Sequence, residues 1–187
     1  MKKIIPDKRT RLLGSANKLM YYQGFNQTTL ADIAKEADVP LGNVYYYYKT
    51  KEDLGHALMA HRADYYQALI ASWEKNPDPK KRILALIREV ASRCEPLAQS
   101  GCPIGSLCQE LRKDGGPLAD KAATLLAAIL SWAEQQFRLL GKGQESVDLA
   151  LHLLSVLQGA SLLTHAFNQP SLIVRAATRL EQWVDNL

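Results

Sequence analysis

The sequence predicts an all-α protein, because apolar residues recur at helical spacing and no segment alternates apolar and polar residues between turn signals. Its 187 residues, 47% of them hydrophobic and 22% charged, are typical of a globular chain of one or two domains rather than a disordered one. The N-terminus lacks an apolar signal segment, and three cysteines without an export signal favour reduced thiols. We therefore expect a soluble, cytoplasmic protein that spans no membrane.

The first helix is predicted over residues 7–23. Asp7 is a suitable N-cap and Gly24 a suitable C-terminal stop, since short polar residues cap free N–H groups and glycine tolerates left-handed backbone. The apolar residues between them, Leu12, Ala16, Leu19 and Met20, share one helical face. The sequence therefore predicts an amphipathic helix packed on a core.

Two short helices follow. The first is predicted over 29–37, where either Thr28 or Thr29 can act as the N-cap. After a three-residue turn, Pro40 suits the start of a very short helix over 41–47, since proline lacks the N–H that a helix start leaves unpaired.

A long fourth helix begins after Thr50, where a capping residue is followed by acidic side chains, and runs to the break at residues 76–79. Five further helices, separated by glycine and proline, are predicted over 79–96, 103–113, 116–140, 144–167 and 170–185. The domain boundary falls within the fourth helix. We thus expect an N-terminal domain, 1–53, joined by a rigid helix to a C-terminal domain, 54–187.

The two short helices are typical of a helix-turn-helix, in which the first helix supports a second that enters the major groove of DNA. Four consecutive tyrosines, Tyr45–Tyr48, cannot all be buried, because successive helical residues are about 100° apart. We expect Tyr48 and Val44 to be buried, which leaves Tyr45, Tyr46 and Tyr47 able to contact DNA. The alternative is that all four tyrosines pack against the fourth helix.

The distribution of charge also favours DNA binding by the N-terminal end of the chain. Residues 1–53 hold nine Lys or Arg and six Asp or Glu, whereas residues 54–187 hold fourteen and thirteen. Lys49 and Lys51, next to the tyrosines, are candidate phosphate contacts, although solvated lysines are the alternative. The basic excess permits DNA binding without establishing it.

This segment resembles the DNA-binding signature of the TetR family of bacterial transcriptional repressors. The resemblance covers roughly residues 8–56 and is carried by Thr28–Ala34, Ala37–Val39, Gly42, Val44–Lys49, Lys51–Glu52 and Leu54. It implies an N-terminal three-helix DNA-binding domain, a helical domain that binds a small inducer, and a homodimer formed through the last two helices.

The resemblance also implies which residues contact double-stranded operator DNA. It assigns backbone contacts to Thr28, Tyr45, Tyr46 and Lys51, and places Leu41, Gly42, Asn43 and Tyr47 nearest the bases. Pro40 and Leu41 depart from the commonest family pattern of a capping polar residue and then a basic one, so few direct base contacts are expected. Asn43 is then the best candidate, because its amide can pair bidentately with adenine.

The last two predicted helices have the pattern of an interface. The segment 147–167 is apolar nearly all round, and small residues at 159–161 permit close helix approach. The predicted homodimer contacts are Leu154, Ser161, Leu162, Ile173, Ala176, Leu180 and Trp183. The alternative is a buried helix pair within one chain.

The inducer pocket that the resemblance implies has candidate lining residues in the C-terminal half, namely Tyr65, Tyr66, Trp132 and His165. A plain core role is the alternative for these residues. The histidines and cysteines show no metal-ligand spacing, so neither a metal nor a cofactor is expected.

Cys102 differs from the other two cysteines. It precedes Pro103 at the predicted start of a helix, where free N–H groups favour a thiolate. The run Ser-Gly-Cys before a helix also resembles an electrophile-sensing branch of the TetR family. A simple capping role is the alternative. Cys94 and Cys108 lie on apolar helical faces and are predicted to be inert core residues.

These observations favour a ligand-responsive DNA-binding regulator that is not an enzyme. The leading hypothesis is a repressor released from a palindromic operator by a small-molecule or electrophilic inducer. A helical ligand-binding protein without DNA binding is the first alternative. A thiol-dependent enzyme, with Cys102 as nucleophile and His152 or His165 as base, is less favoured because no third orienting group is evident.

Overall fold

The structure, a computed structural model, describes residues 6–187, and the first five residues of the predicted domain 1–53 lie outside this range. The described chain folds into ten α-helices and one 3₁₀ turn, and no strand occurs in it. The helices are α1 Lys8–Tyr22, α2 Leu30–Glu36, α3 Leu41–Tyr47, α4 Lys51–Trp73, α5 Pro79–Ala91, α6 Cys94–Ser100, α7 Gly105–Asp114, α8 Pro117–Leu139, α9 Ser146–Ala166 and α10 Ser171–Asp185. The predicted all-α class is confirmed.

Local capping explains where the first helices begin. Asp7 accepts a hydrogen bond from the backbone N–H of Thr10 at 2.7 Å, and this contact lowers the pKa of the Asp7 carboxyl. Gly24 follows α1 with a φ of +87°. At α2 the N-cap is Thr29, whose hydroxyl and backbone N–H bond reciprocally with Asp32 at 3.1 and 3.0 Å.

The predicted helix 79–96 is wrong, because the chain forms two helices there, α5 and α6. Arg93 leaves the helical region, with φ −99° and ψ 25°. The physical reason is Pro96, which has no N–H to donate to the carbonyl four residues earlier and would clash with it. The break turns α6 towards α1 and α9, which it contacts.

One hydrophobic core runs through both halves of the chain. α4 packs against both α1 and α8, and Leu54, Leu58 and Met59 on it are fully buried. A Cβ atom at Gly55 would lie 2.8 Å from Leu118 Cδ2, so glycine allows α4 and α8 to approach closely. The N-terminal helices are therefore anchored on the body of the protein by α4.

α9 is unusually apolar. Together with the preceding turn, Gly143–Ala166 is long and apolar enough to cross a membrane by length and composition, with a mean hydropathy of 1.4, which the sequence analysis did not anticipate. In the structure this helix packs against α6, α8 and α10, and the core helix of a globular protein passes the same test. Only 28% of its most apolar window is buried, so much of its surface faces outward.

Candidate DNA-binding surface and sensor region

α3 presents its aromatic side chains as predicted. Val44 and Tyr48 are buried, whereas Tyr45, Tyr46 and Tyr47 are exposed, Tyr46 by 80%. The rings of Tyr46 and Tyr47 pack edge to face, with centroids 5.0 Å apart. The alternative in which all four tyrosines are buried is wrong, because burying Val44 and Tyr48 turns the others outward.

The first residues of α3 lie on an accessible surface. Leu41 and Gly42 are exposed and Asn43 is half-buried, and no atom of the described residues lies within 4 Å of a Cβ built on Gly42. Pro40 supplies no side-chain cap to this helix. The residues predicted to lie nearest the bases thus share the surface of the exposed tyrosines.

Two of the predicted phosphate contacts have other partners in the structure. Thr28 is fully buried and its hydroxyl donates to the Gly24 carbonyl at 2.6 Å, so the predicted Thr28 contact is wrong. Lys51 donates to the carbonyl oxygens of Phe25 and Asn26, both at 3.3 Å, and its ammonium lies 4.7 Å from the Phe25 ring centroid. Lys49 remains on the surface.

The turn between α1 and α2 is held by α7. The carboxylate of Glu110 accepts the backbone N–H groups of Phe25 and Asn26 at 2.8 and 2.7 Å. The Asn26 amide donates to Asp114 at 2.8 Å. Charge-assisted hydrogen bonds of this kind are among the stronger ones in proteins. One helix of the C-terminal half therefore fixes the position of the turn that precedes α2.

The contacts of Glu110 and Asp114 with the α1–α2 turn form one junction between the two halves of the chain. A second junction joins α1 and α4 to the segment 101–104. Arg62 on α4 is 6% exposed. It donates to Asn17 Oδ1 at 3.1 Å and to the Pro103 carbonyl. The Tyr21 hydroxyl donates to the carbonyls of Pro96 and Gly101 at 2.8 and 3.1 Å, and burial raises its pKa to about 12, which keeps it a donor.

Neither junction was found from the sequence. Both consist of polar side chains that meet backbone groups more than forty residues away. The only sequence signal is a lone arginine at position 62, within the stretch of α4 that carries the buried apolar residues. Such a residue is seldom buried without a specific partner.

Cys102 lies in this second junction, in the segment before α7. The predicted helix start at Pro103 is two residues too early, since α7 begins at Gly105. The Cys102 sulfur accepts the Gly105 N–H at 3.3 Å and the Gln158 amide N–H at 3.4 Å. A Cβ at Gly105 would overlap Gln158 Oε1, so glycine leaves room for this amide.

A small cavity of about 50 Å³ reaches the sulfur. It is lined by Tyr66, Trp73, Leu86, Glu89, Val90, Arg93, Leu97, Cys102, Pro103, Gln158 and Ser161. Cys102, Cys94 and Cys108 are all half-buried rather than core residues, and burial raises the pKa of the Cys108 thiol. The cysteines therefore differ in their contacts more than in their exposure.

The other predicted pocket residues divide into two groups. Tyr65 and Tyr66 line a cavity beside Arg62. Trp132 is buried, donates to Glu74 at 3.0 Å and packs on another tryptophan, so the structure makes it a core residue. His165 contacts the Ala98 carbonyl through Nδ1 at 3.0 Å and lines none of the described cavities near Cys102.

Some of the residues predicted for a dimer interface are buried within the chain, and others lie at its surface. Ser161, Ile173 and Leu180 are buried within the chain itself, so their assignment to a surface is wrong. Leu162 is 57% exposed, and Leu154, Ala176 and Trp183 are half-buried. Helical periodicity indicates which residues lie together, but it does not distinguish packing within a chain from packing between chains.

The exposed side of α9 is strongly apolar, and Val174 on α10 adds one further exposed apolar side chain. The large exposed side chains of this region are Val147, Leu151, Leu162, Leu163, Phe167 and Val174. A groove of about 490 Å³ between the two helices is lined by His152, Val156, Leu172, Arg175, Ala176, Arg179, Leu180 and Trp183. Several large apolar side chains exposed on one helix are typical of interaction sites in proteins.

Comparison with known proteins agrees with this geometry. Residues 12–58 match the family profile described as bacterial regulatory proteins, tetR family. The HTH-type transcriptional repressor NemR of Escherichia coli (strain K12) is 34% identical over 140 residues, covering 71% of this chain and 69% of that protein. The uncharacterized HTH-type transcriptional regulator YxaF of Bacillus subtilis (strain 168) is 27% identical over 178 residues, 90% of this chain and 91% of that protein.

Solved structures give the same result for the fold. A TetR transcriptional regulator from Legionella pneumophila superimposes with a TM-score of 0.86 at 20% identity, covering 96% of this chain and 98% of that one. The shared fold extends over both halves, and the identity to NemR extends well beyond the helix-turn-helix. This chain belongs to the TetR family of bacterial transcriptional regulators.

Proposed function

We propose that this protein is a homodimeric, cytoplasmic transcriptional repressor that leaves a palindromic operator when a small inducer binds or modifies its C-terminal half. The observation that carries the proposal is the exposed aromatic surface of α3 on a three-helix unit that is otherwise well packed. The choice of repressor follows the named function of NemR, the relative from Escherichia coli. Residues 1–53 and 54–187 are the proposed DNA-binding and inducer-binding domains.

The chemistry of α3 suits DNA. Tyrosine hydroxyls can donate to phosphate oxygens, and an asparagine amide at the start of the helix can pair with adenine in the major groove. Lys49 adds an exposed cation beside them. Lys51 is proposed to act indirectly, because its bonds to the α1–α2 turn steady the unit that carries α3.

A second copy of the chain is the proposed partner of the apolar side of α9 and α10. Leu151, Ser155, Gly159 and Leu162 recur at spacings of four and three on α9, and all four are exposed. Small residues at the centre of such a stripe allow two helices to approach closely. Dimerisation would also place two α3 helices to bind successive major grooves, about 34 Å apart.

α7 connects the proposed sensor to the proposed DNA-binding domain. Its first N–H is bonded to the Cys102 sulfur, and its Glu110 holds the α1–α2 turn. A group attached to the sulfur would need space that the cavity of about 50 Å³ does not supply. The start of α7 would then move, and packed helices transmit such shifts as rigid units.

The DNA contacts are tested by selecting bound sites from random sequences. Replacing Asn43 by Ala should cost about 1 to 3 kcal/mol at one base position and relax the preference there only. Replacing Tyr46 by Ala should weaken all sequences alike, because a phosphate contact carries no sequence information. Wild-type protein that enriches no inverted repeat, or whose affinity does not fall with added salt, would refute the proposal.

The interface is tested by Gly159→Arg. This position is exposed and none of residues 6–187 lies within 4 Å of a built Cβ, so the variant should fold but sediment as a monomer. Operator affinity should fall, since two half-sites are no longer bound together. Gly14→Arg on α1 is the matched control, because that glycine is equally exposed and open, and it should remain dimeric. A dimeric Gly159→Arg protein would contradict this interface.

The sensor is tested with N-ethylmaleimide, mass mapping and operator binding. The Cys102 thiolate adds to the ring double bond: a carbon–sulfur bond forms, the π bond breaks and the neighbouring ring carbon takes a proton from water. Two N–H donors on its sulfur should make Cys102 react before Cys94 and Cys108. Labelled wild type should release the operator. If labelled Cys102→Ser protein releases the operator as fully as labelled wild type, or if another cysteine is labelled faster, Cys102 has only a structural role.

The connection through α7 is tested by Glu110→Gln. An amide cannot accept both N–H groups as a carboxylate does, so hydrogen exchange at Phe25 and Asn26 should accelerate by about tenfold or more. Labelling of Cys102 should then release the operator less completely. Glu134→Gln removes a half-buried carboxylate that is paired with Arg138 on the same helix, α8, and both readouts should be unchanged. Unchanged exchange in Glu110→Gln would contradict the contact.

A further inference from the structure

A buried arginine without an acidic partner lies between the two halves of the chain. Arg62 is 6% exposed, and its recorded contacts are neutral: the Asn17 side chain and the Pro103 carbonyl. None of the ion pairs within residues 6–187 includes it. Burying a cation without a counter-charge is costly, which is why buried charges in proteins are normally paired.

This arginine lines a cavity of suitable size for a small molecule. The space of about 190 Å³ is bounded by Asn17, His61, Arg62, Tyr65, Tyr66, Arg93 and Pro103. An adjoining space of about 370 Å³ shares Arg62, Arg93 and Pro103 with it and extends towards Tyr21. Sites for drug-sized ligands occupy about 300 to 1,000 Å³, so the inner cavity fits a smaller molecule.

Of the Arg and Lys side chains around the cavity, only Arg62 has no acidic partner among residues 6–187. Arg93 is paired with Glu89 at 2.7 Å, and Lys18, at the rim of the outer space, is paired with Glu36 at 2.6 Å. His61 is the remaining titratable base on the wall. An arginine remains protonated in proteins even when burial opposes its charge. Arg62 is therefore the one permanently charged group on the cavity wall that has no acidic partner among residues 6–187.

Donors and apolar surface are present beside that charge. Within residues 6–187, Arg62 uses Nε and Nη1 in its hydrogen bonds, and neither its Nη2 group nor the Tyr66 hydroxyl is hydrogen-bonded to another described residue. Burial raises the pKa of Tyr66, so its hydroxyl stays protonated and can donate. The rings of Tyr65 and Tyr66, packed edge to face at 5.4 Å, supply an apolar wall.

We propose that this cavity binds a small organic monocarboxylate, with its carboxylate on Arg62 and Tyr66 and its apolar part against the tyrosine rings. A single uncompensated cation matches a monoanion better than a dianion such as phosphate. The ligand lies between α1, α4 and the segment 101–104, so it competes with the Pro103 carbonyl for Arg62. Only its effect on DNA depends on the proposed function, because binding itself takes place on the free protein.

The test is calorimetric titration of benzoate and of its neutral analogue benzamide into the DNA-free protein. Benzoate should bind once per chain, and benzamide at least tenfold more weakly, because the two differ chiefly in charge. Inorganic phosphate should bind more weakly than benzoate. Equal binding of benzoate and benzamide, or stronger binding of phosphate, would overturn the proposal.

Two variants locate the site. Arg62→Met should abolish detectable benzoate binding, whereas Arg138→Met, on the exposed side of α8, should bind as wild type does. If Arg62→Met does not fold, Tyr66→Phe decides, since it removes one donor and keeps the ring; benzoate affinity should fall about tenfold. Unchanged affinity in Tyr66→Phe and Arg62→Met would place benzoate elsewhere. Because no DNA is present, failure here leaves the repressor proposal untouched.

Discussion

The arrangement of the whole molecule depends on how the turn between α1 and α2 satisfies its backbone. Phe25 N–H and Asn26 N–H bond to no group in the three N-terminal helices, and both are accepted by one carboxylate, Glu110 of α7. The Phe25 bond is partly buried, and an N–H left unpaired away from water costs about 1 to 3 kcal/mol, so α7 completes the hydrogen bonding of this turn. The position of α2, and of α3 after it, is therefore set partly by the C-terminal half.

The second junction is different in kind. Arg62 is held by neutral acceptors from Asn17 and Pro103, and Tyr21 by two further carbonyls. Neutral acceptors bind a guanidinium less strongly than a carboxylate does. The Glu110 junction is thus suited to hold one geometry, while the Arg62 junction is suited to exchange partners. A regulator needs both, because a signal has to change one contact while another transmits the change.

Elements with local signals were predictable from the sequence, and those with distant partners were not. Asp7, Gly24 and Pro79 mark helix ends through contacts within a few residues, and the structure has those ends. Pro96 is a local signal for the break between α5 and α6, but the single helix predicted over 79–96 did not include that break. The sequence does not indicate that Glu110 meets a turn 84 residues away, because only tertiary packing creates that contact.

The same reasoning explains why some candidate site residues were predicted correctly and others were not. The exposed tyrosines of α3 followed from helical geometry, since burying Val44 and Tyr48 leaves the other three no place in the core. The buried Ser161, Ile173 and Leu180 were placed on the surface because an apolar stripe has the same period in both settings. The burial of Arg62 could not be predicted, because it arises from tertiary packing. Once Arg62 is buried, its charge has no acidic partner among residues 6–187, and such a charge favours binding of an anion. Because Cys102 and the Pro103 carbonyl bonded to Arg62 are adjacent in the chain, a thiol modification and an anion would both act on one short segment before α7.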